Sequence, residues 1–194
     1  VKHDGEKMSH LKRLLTKYQG KRILVFALYK KSVNYLEQQL AQSFGAIAIS
    51  SDKSQQHREA MLAQFKATQG SLLVATDVAA RGLDVKQLEV VINYEFPLTS
   101  DDYVHRIGRT GRAGAKGEAY TLLSEGDGYF DGFAARDIER ILDNVGQEVA
   151  PQIAKKAEPF RFRTKPKREK IPEAPAYVAS APSKSVKFVD SDSD

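Results

Sequence analysis

Residues 105–114, which read HRIGRTGRAG, place three arginines among three glycines. A guanidinium presents paired N–H donors that match phosphate oxygens, and glycine lets a backbone approach a ligand closely. Arg106, Arg109 and Arg112 recur at intervals of three residues, and a pair at that spacing can hold one polyphosphate. Arginines also stabilise the charge on a phosphoryl group during its transfer. A solvated basic loop that merely joins two elements is the alternative that this segment alone leaves open.

A second polar segment, residues 76–84, reads TDVAARGLD. Its small residues allow a close backbone approach, and the hydroxyl and amides of Thr76 are suited to holding a phosphate. The carboxylate of Asp84 is suited to accepting hydrogen bonds from ribose hydroxyls. The competing interpretation is an ordinary loop with an internal ion pair between Asp77 and Arg81, which are four residues apart.

A third polar segment, Gln55-Gln56-His57-Arg58, opens a predicted helix that Ser54 can cap. An arginine in the first turn is unfavourable to the helix dipole, so Arg58 indicates an anionic partner. An exposed surface arginine is the alternative here.

Several features that would point to other chemistry are absent from the sequence. No segment matches G-x-x-x-x-G-K-[S/T], the loop that cradles nucleotide phosphates, and no acidic tetrad is clustered to hold magnesium. The chain has no cysteine, which excludes a thiolate metal site and a cysteine nucleophile. No apolar run has the length of a membrane span, so no membrane partner is expected. The sequence therefore predicts that the phosphate cradle lies on another domain.

The elements that must position these segments alternate between strands and helices. Continuous apolar runs predict strands that are buried on both faces, over residues 23–28, 46–49, 72–75, 90–94 and 118–123. Apolar residues at helical spacing predict helices over residues 8–19, 32–44, 54–67, 100–105 and 131–145. This order predicts an α/β fold, a mostly parallel sheet with helices on both faces. The loops that follow the strands gather along one edge, where such folds bind ligands.

The net charge of +5 belongs to the end of the chain. Residues 1–154 are almost neutral, whereas residues 155–170 hold eight basic and two acidic residues. We expect one domain over residues 1–154 and a proline-rich, disordered tail over residues 155–194. The basic stretch, with Phe160 and Phe162, could attract nucleic acid or be a solvated linker. Residues 186–189, which precede an acidic end, could bind a protein partner.

Two of these segments, extended to residues 72–84 (LLVATDVAARGLD) and 103–112 (YVHRIGRTGR), resemble motifs V and VI of the DEAD-box RNA helicases. Gln55-x-x-Arg58 with Phe65 is similar to motif IVa, and residues 24–26 are similar to motif IV. The match runs in order over residues 1–150. The His-Arg opening of motif VI resembles DEAD-box proteins, whereas related helicase families usually begin that motif with glutamine.

The resemblance implies a RecA-like second domain whose partner is an upstream RecA-like domain of the same protein. ATP with Mg²⁺ would be bound mainly by that upstream domain, and this chain alone would not hydrolyse ATP. Arg109 and Arg112 would contact the γ-phosphate. Asp84 would contact the ribose, with Gly82 also at the nucleotide.

The resemblance also assigns coupling and RNA-binding residues. His105 and Arg106 would couple to the upstream domain, and Phe26 would support the motif VI loop from the core. RNA would be bound through its backbone, without sequence preference, at or beside a larger set of residues, namely Gln55, Arg58, Ser51, Thr76, Asp77 and Arg81.

Two positions depart from the family pattern. Ser50-Ser51 stands where the family usually has His-Gly, and Tyr29 stands where many members have threonine. Residues 27–31 and 96–99 look like those of nucleolar members, which implies ribosomal-RNA processing and a nuclear or nucleolar location, with the cytoplasm as the alternative. A non-catalytic RNA-binding or docking module, and a DNA-directed translocase, are the rival functions.

Overall fold

The computed structural model describes residues 4–50, 53–80, 88–111, 115–123, 128–163 and 186–188. They form two compact units, residues 1–126 with 184–194, and residues 127–183. The first unit contains six strands, β1 (Ile23–Phe26), β2 (Ile47–Ile49), β3 (Leu72–Ala75), β4 (Val90–Asn93), β5 (Glu118–Thr121) and β6 (Val186–Phe188). They build one sheet in the order β2-β3-β1-β4-β5-β6, and all five pairings are parallel. The predicted parallel sheet is confirmed.

Five helices accompany this sheet in the first unit, α1 (Asp4–Lys17), α2 (Lys30–Phe44), α3 (Gln55–Ala67), α4 (Asp77–Ala80) and α5 (Ser100–Ile107). The first helix begins four residues earlier than the sequence predicts. The fourth lies in the segment that was predicted as a loop or short turn. As predicted, Ser54 caps α3, because its hydroxyl accepts a hydrogen bond from the amide of His57 at 3.2 Å. No helix in the described ranges combines the length and the apolar character that crossing a membrane requires.

The two faces of the sheet carry different helices. Alternate residues of a strand point to opposite faces, so Val25 of β1 lies on one face and Phe26 on the other. The apolar sides of α1 and α2 share a core with Val25, Val74 of β3 and Ile92 of β4. On the opposite face, the Phe26 ring is covered by the Arg106 side chain of α5. Helices therefore cover both faces, as the buried strand sequences predict.

The second unit contains α6 (Gly128–Asn144), α7 (Pro151–Ala157) and a 3-10 helix (Glu158–Phe160). The Phe160 ring packs edge-on against Phe133 of α6, with 5.0 Å between ring centroids. Arg136 of α6 donates a hydrogen bond to the carbonyl of Arg163 at 2.8 Å. Arg161 forms a two-pronged ion pair with Glu139.

These contacts correct the predicted start of the tail. The boundary expected between residues 154 and 155 falls inside α7, and helical structure continues to Phe160. Phe160 packs within the second unit rather than serving as a free base-stacking group, whereas Phe162 is fully exposed. The signal that the sequence analysis missed is the spacing of Ile153 and Ala157, which are both buried. Residues 164–185 and 189–194 of the predicted tail lie outside the described residues.

Gly70 provides a test of the packing that brings β1 and β3 together. It has a φ of +71°, and a Cβ at this position would lie 2.9 Å from the Cα of Gly20. Gly45, which ends α2 with a φ of +61°, has open space at its Cβ position. We predict that Gly70→Ala lowers the free energy of unfolding by about 2–3 kcal/mol, since it adds a backbone clash to the cost of the left-handed conformation. Gly45→Ala carries only the conformational cost, about 1 kcal/mol. Urea denaturation would measure both, and equal losses would contradict the close approach.

Candidate functional site

The carboxyl ends of β3 and β4 bring together an arginine and an aspartate that are 29 residues apart. Asp77 begins α4 directly after β3, and Arg106 lies near the end of α5. The Arg106 Nε and Nη2 atoms donate to the two carboxylate oxygens of Asp77, each at 2.6 Å. This two-pronged pair fixes α5 to the turn after β3, because two parallel hydrogen bonds between a planar guanidinium and a carboxylate restrict their relative orientation.

The rest of the Arg106 head group is also enclosed. Its Nη1 atom donates to the carbonyl of Glu95 at 2.6 Å and to the side-chain oxygen of Asn93 at 3.3 Å. Its guanidinium carbon lies 4.9 Å from the centre of the Phe26 ring. The side chain of Arg106 is only 1% exposed, and the side chain of Asp77 is 18% exposed. We call these five residues the Arg106 clamp.

The clamp is connected to the start of α2 through Glu95. The Glu95 carboxylate accepts hydrogen bonds from the amide of Leu28 at 2.6 Å and from the hydroxyl of Ser32 at 2.9 Å. Since its carbonyl accepts from Arg106, this one residue joins the β1–α2 turn to α5. One set of hydrogen bonds therefore joins the β1–α2 turn, the start of α4 and the end of α5.

The clamp is also connected to β5 through Asn93. The Asn93 amide donates to the hydroxyl of Thr121 at 3.3 Å, and that hydroxyl donates to Tyr103 of α5 at 3.2 Å. Burial raises the pKa of Tyr103 to about 12, so its hydroxyl stays neutral near pH 7. A neutral phenol can be enclosed at this position without an uncompensated charge.

Arg109 lies on the loop that leaves α5. Its amide donates to the carbonyl of Arg106 at 3.0 Å, so the clamp determines where the loop begins. The Arg109 side chain is half-buried, whereas His105 is exposed. Next along the loop, the buried Thr110 donates from its hydroxyl to the carbonyl of Leu88 at 2.6 Å. The loop is thus anchored on both sides of Arg109.

Gly117 makes the second anchor possible. A Cβ at Gly117 would lie 2.2 Å from the Thr110 hydroxyl oxygen and 2.3 Å from the Gly111 amide nitrogen. Only glycine lets the start of β5 approach the loop this closely.

The structure shows the contacts that three predicted residues make within this chain. Thr76 is 6% exposed, and its hydroxyl accepts from the amide of Ala79 at 3.4 Å, so it caps α4. Asp77, predicted to bind RNA, holds Arg106. Arg106, predicted to reach the upstream domain, is buried among groups of its own domain and is a positioning residue in this structure.

Gln55 and Arg58 lie together in the first turn of α3. Arg58 Nη1 donates to the Gln55 side-chain oxygen at 3.3 Å, and the Gln55 amide donates to Glu59 at 2.6 Å. The Nε atom of Arg58 is buried and has no hydrogen-bond partner among the described residues. The other predicted site residues, Ser51, Arg81, Gly82, Asp84 and Arg112, lie outside the described residues.

Three residues that organise the site were missed by the sequence analysis, namely Asn93, Glu95 and Gly117. A signal existed for Asn93, since it is a polar residue at the end of an otherwise apolar strand. Glu95 accepts hydrogen bonds with its backbone carbonyl as well as with its carboxylate. The contact of the carbonyl cannot be predicted from the residue type. Gly117 is one of several glycines near the loop, and only the fold shows which one is crowded.

The Arg106 clamp predicts a large loss of stability when one partner is removed. Arg106→Ala would leave a largely buried carboxylate and two polar groups without their donor. We expect the free energy of unfolding to fall by about 3–4 kcal/mol, near the lower end for buried pairs because Asp77 keeps some solvent contact. Lys21→Ala, which removes the exposed pair with Glu89, is the control and should change stability far less. Urea denaturation would measure both, and similar small losses would refute the clamp.

The contact at Gly117 predicts a displaced loop. Gly117→Ala would force Thr110 and Gly111 away from β5, because a methyl group cannot occupy the available space. We expect the amide resonances of residues 108–111 to shift and the Thr110 hydrogen bond to Leu88 to weaken. Lys116→Ala, a neighbouring exposed position, should leave those resonances in place. Two-dimensional NMR would decide, and unchanged loop resonances in Gly117→Ala would contradict the prediction.

Comparison with known proteins agrees with this arrangement. The pattern of the helicase conserved C-terminal domain family matches residues 6–114. The chain is 47% identical over 153 residues to DEAD-box ATP-dependent RNA helicase 46 of Arabidopsis thaliana, covering 78% of this chain and 23% of that protein. The chain spans less than a third of the length of the curated relatives it matches.

Two solved structures are also similar. The yeast DEAD-box splicing factor Prp28 aligns with a TM-score of 0.71 and 29% identity, over 81% of this chain and 35% of that one. Dbp5 of S. cerevisiae, bound to RNA and ADP BeF3, aligns with a TM-score of 0.59 and 29% identity, over 64% of this chain and 34% of that one. The family match covers more than half of the chain, and the parallel RecA-like sheet and the two arginine-bearing segments agree with it. This chain therefore belongs to the helicase conserved C-terminal domain family, as the C-terminal RecA-like domain of a DEAD-box protein.

Proposed function

We propose that this domain serves an ATP-dependent RNA helicase, in which it supplies Arg109 and Arg112 to the γ-phosphate of ATP held by an upstream RecA-like domain. The observation that carries this proposal is the buried clamp behind Arg109. A guanidinium that must meet a phosphoryl group during transfer has to be held in place beforehand. The Arg106 carbonyl and the Thr110 anchor hold the loop on either side of Arg109.

Coupling between the domains is proposed to run through His105. Its side chain is exposed one residue before the buried Arg106, so it can reach a partner surface while its own backbone stays fixed. Asp84 and Gly82 would contact the nucleotide and its ribose, as the resemblance implies. Closure of the two domains would then bring Asp84, the two arginines and His105 to the same bound nucleotide.

The described part of this chain brings together no group of three or more His, Cys, Asp or Glu side chains that would fit a metal ion. In this proposal the metal belongs with the nucleotide and the upstream domain, and this chain contributes cationic groups instead.

RNA is proposed to bind along the turns that follow β2 and β3, through its backbone. Arg58 supports this, because its buried Nε has no partner among the described residues and its helix begins with no acidic residue in the first turn. A helix N-terminus with a positive side chain suits a phosphate. Gln55 orients Arg58, and Thr76 supports the surface as the cap of α4. Ser51 and Arg81 would complete the backbone contacts. The Dbp5 relative, bound to RNA and ADP BeF3, is consistent with an RNA site in this family.

The basic stretch of residues 155–170 is proposed to add sequence-independent attraction to RNA. Two of its basic residues, Arg161 and Arg163, are engaged within the second unit, which leaves fewer charges for this role. The pathway we propose is ribosomal-RNA processing in the nucleus or nucleolus, because the sequences of residues 27–31 and 96–99 resemble those of nucleolar members.

The test uses the intact protein that contains both domains. We predict that Arg109→Ala lowers the rate constant of RNA-stimulated ATP hydrolysis by about 10³–10⁵-fold, because charge on the transferring group loses its partner. The midpoint of urea unfolding should stay unchanged, since Arg109 is only half-buried. Arg13→Ala, at an exposed position of α1, is the control and should keep full activity.

Two outcomes would contradict the proposal. A wild-type hydrolysis rate in Arg109→Ala would remove the assignment of that arginine. RNA binding by the intact wild-type protein without any ATP hydrolysis would favour the non-catalytic RNA-binding module. Replacing RNA with DNA in the same assay separates the helicase from a DNA translocase.

A further inference from the structure

The outer edge of β5 is occupied by a strand from the far end of the chain. Residues 186–188 form β6, which pairs in parallel with residues 119–121. This segment belongs to the same compact unit as the sheet, although 57 residues assigned to the other unit separate the two parts in sequence. The sequence analysis expected a disordered tail here, with residues 186–189 as a possible partner-binding peptide. The structure places that segment on the protein's own sheet.

The direction of each β5 amide follows from its bonds to β4. The amides of Glu118 and Leu122, at the two ends of β5, donate toward β4, to the carbonyls of Glu89 and Asn93, each at 3.0 Å. Alternate residues of a strand direct their N–H and C=O groups to opposite sides. The amide of Tyr120 therefore faces β4, whereas the amides of Ala119 and Thr121 face outward.

The pairing with β6 fits these outward groups. Lys187 lies opposite Tyr120 in the parallel register. In a parallel ladder such a residue donates its N–H to the carbonyl of the preceding residue on the facing strand, and its C=O accepts from the following one. Lys187 therefore donates its N–H to the outward carbonyl of Ala119, and its carbonyl accepts from the outward amide of Thr121. One residue of the tail segment makes the central contact.

A three-residue pairing is too short to persist by itself, since an isolated two-stranded contact is marginal even at greater length. The covalent connection adds stability, because a tethered segment pairs within its own chain rather than from dilute solution. An edge strand without a cover is also a template for pairing with other chains. A short, tethered cover can leave the edge and return to it.

From this we propose that the outer edge of β5 is a docking site for an extended peptide, and that the chain's own residues 186–188 occupy it as a removable strand. The ligand is recognised by main-chain hydrogen bonds to Ala119 and Thr121, the mode by which extended peptides add to sheet edges. The site uses the main chain of β5, whereas the Arg106 clamp contacts the side chain of Thr121 through Asn93, and the proposal does not depend on the proposed helicase activity.

Backbone amide hydrogen exchange of the full chain, followed by NMR, tests the proposal residue by residue. Lys187→Pro removes the central donor, and Lys187→Ala, which keeps the N–H, is its matched control. We expect Lys187→Pro to speed exchange of the Thr121 amide at least tenfold, because that amide donates to the carbonyl of residue 187. Tyr120 is the internal control, since its amide faces β4 and should remain protected. Lys187→Ala should match the unmodified chain.

A second variant ends the chain at residue 183 and is examined with a synthetic peptide of residues 184–194. The shortened chain should show the same fast exchange at Thr121, and millimolar peptide should restore its protection. A scrambled peptide of equal composition should not restore it. Unchanged exchange at Thr121 in both variants would overturn the proposal. So would protection that returns through self-association of the shortened chain but not on addition of the peptide.

Discussion

A buried guanidinium must have its charge and its donors satisfied within the protein, and the site depends on how Arg106 meets that requirement. Removing such a group from water is unfavourable unless a carboxylate and further acceptors replace the solvent. Here the acceptors come from the turn after β3, the end of β4 and the residue beyond it. Phe26 of β1 covers the flat face of the guanidinium. One side chain thereby specifies the relative positions of three strand ends.

That constraint explains how the glycine- and arginine-containing residues 108–111 adopt one defined conformation. Arg106 fixes the end of α5, and the next anchor is Thr110, whose hydroxyl reaches the backbone just before β4. Arg109 lies between the two. Gly117 permits the second anchor by leaving the space into which Thr110 fits. The contribution of Gly117 is therefore the space left by its missing side chain, not backbone flexibility.

The strands, the parallel order and the polar segments near the strand ends were predictable from sequence, because apolar runs and helical spacing report burial directly. The partners of Arg106 were not. Asp77 could equally have paired with Arg81 four residues on, and only tertiary structure decides between a local and a distant arginine. The carbonyl of Glu95 has no sequence signature. The end of the chain was predicted least well, since α7 is short and β6 depends on a backbone edge that lies far away in sequence.

The pairing of Arg106 with Asp77 has a consequence for how the domain opens and closes locally. Regions of a protein unfold in cooperative groups whose members share buried interactions. Detaching the end of α5 would leave the Asp77 carboxylate without its partner, so we expect the end of α5 to unfold together with the central strands. Residues 108–111, which follow it, would then share the opening rate of the core beneath them.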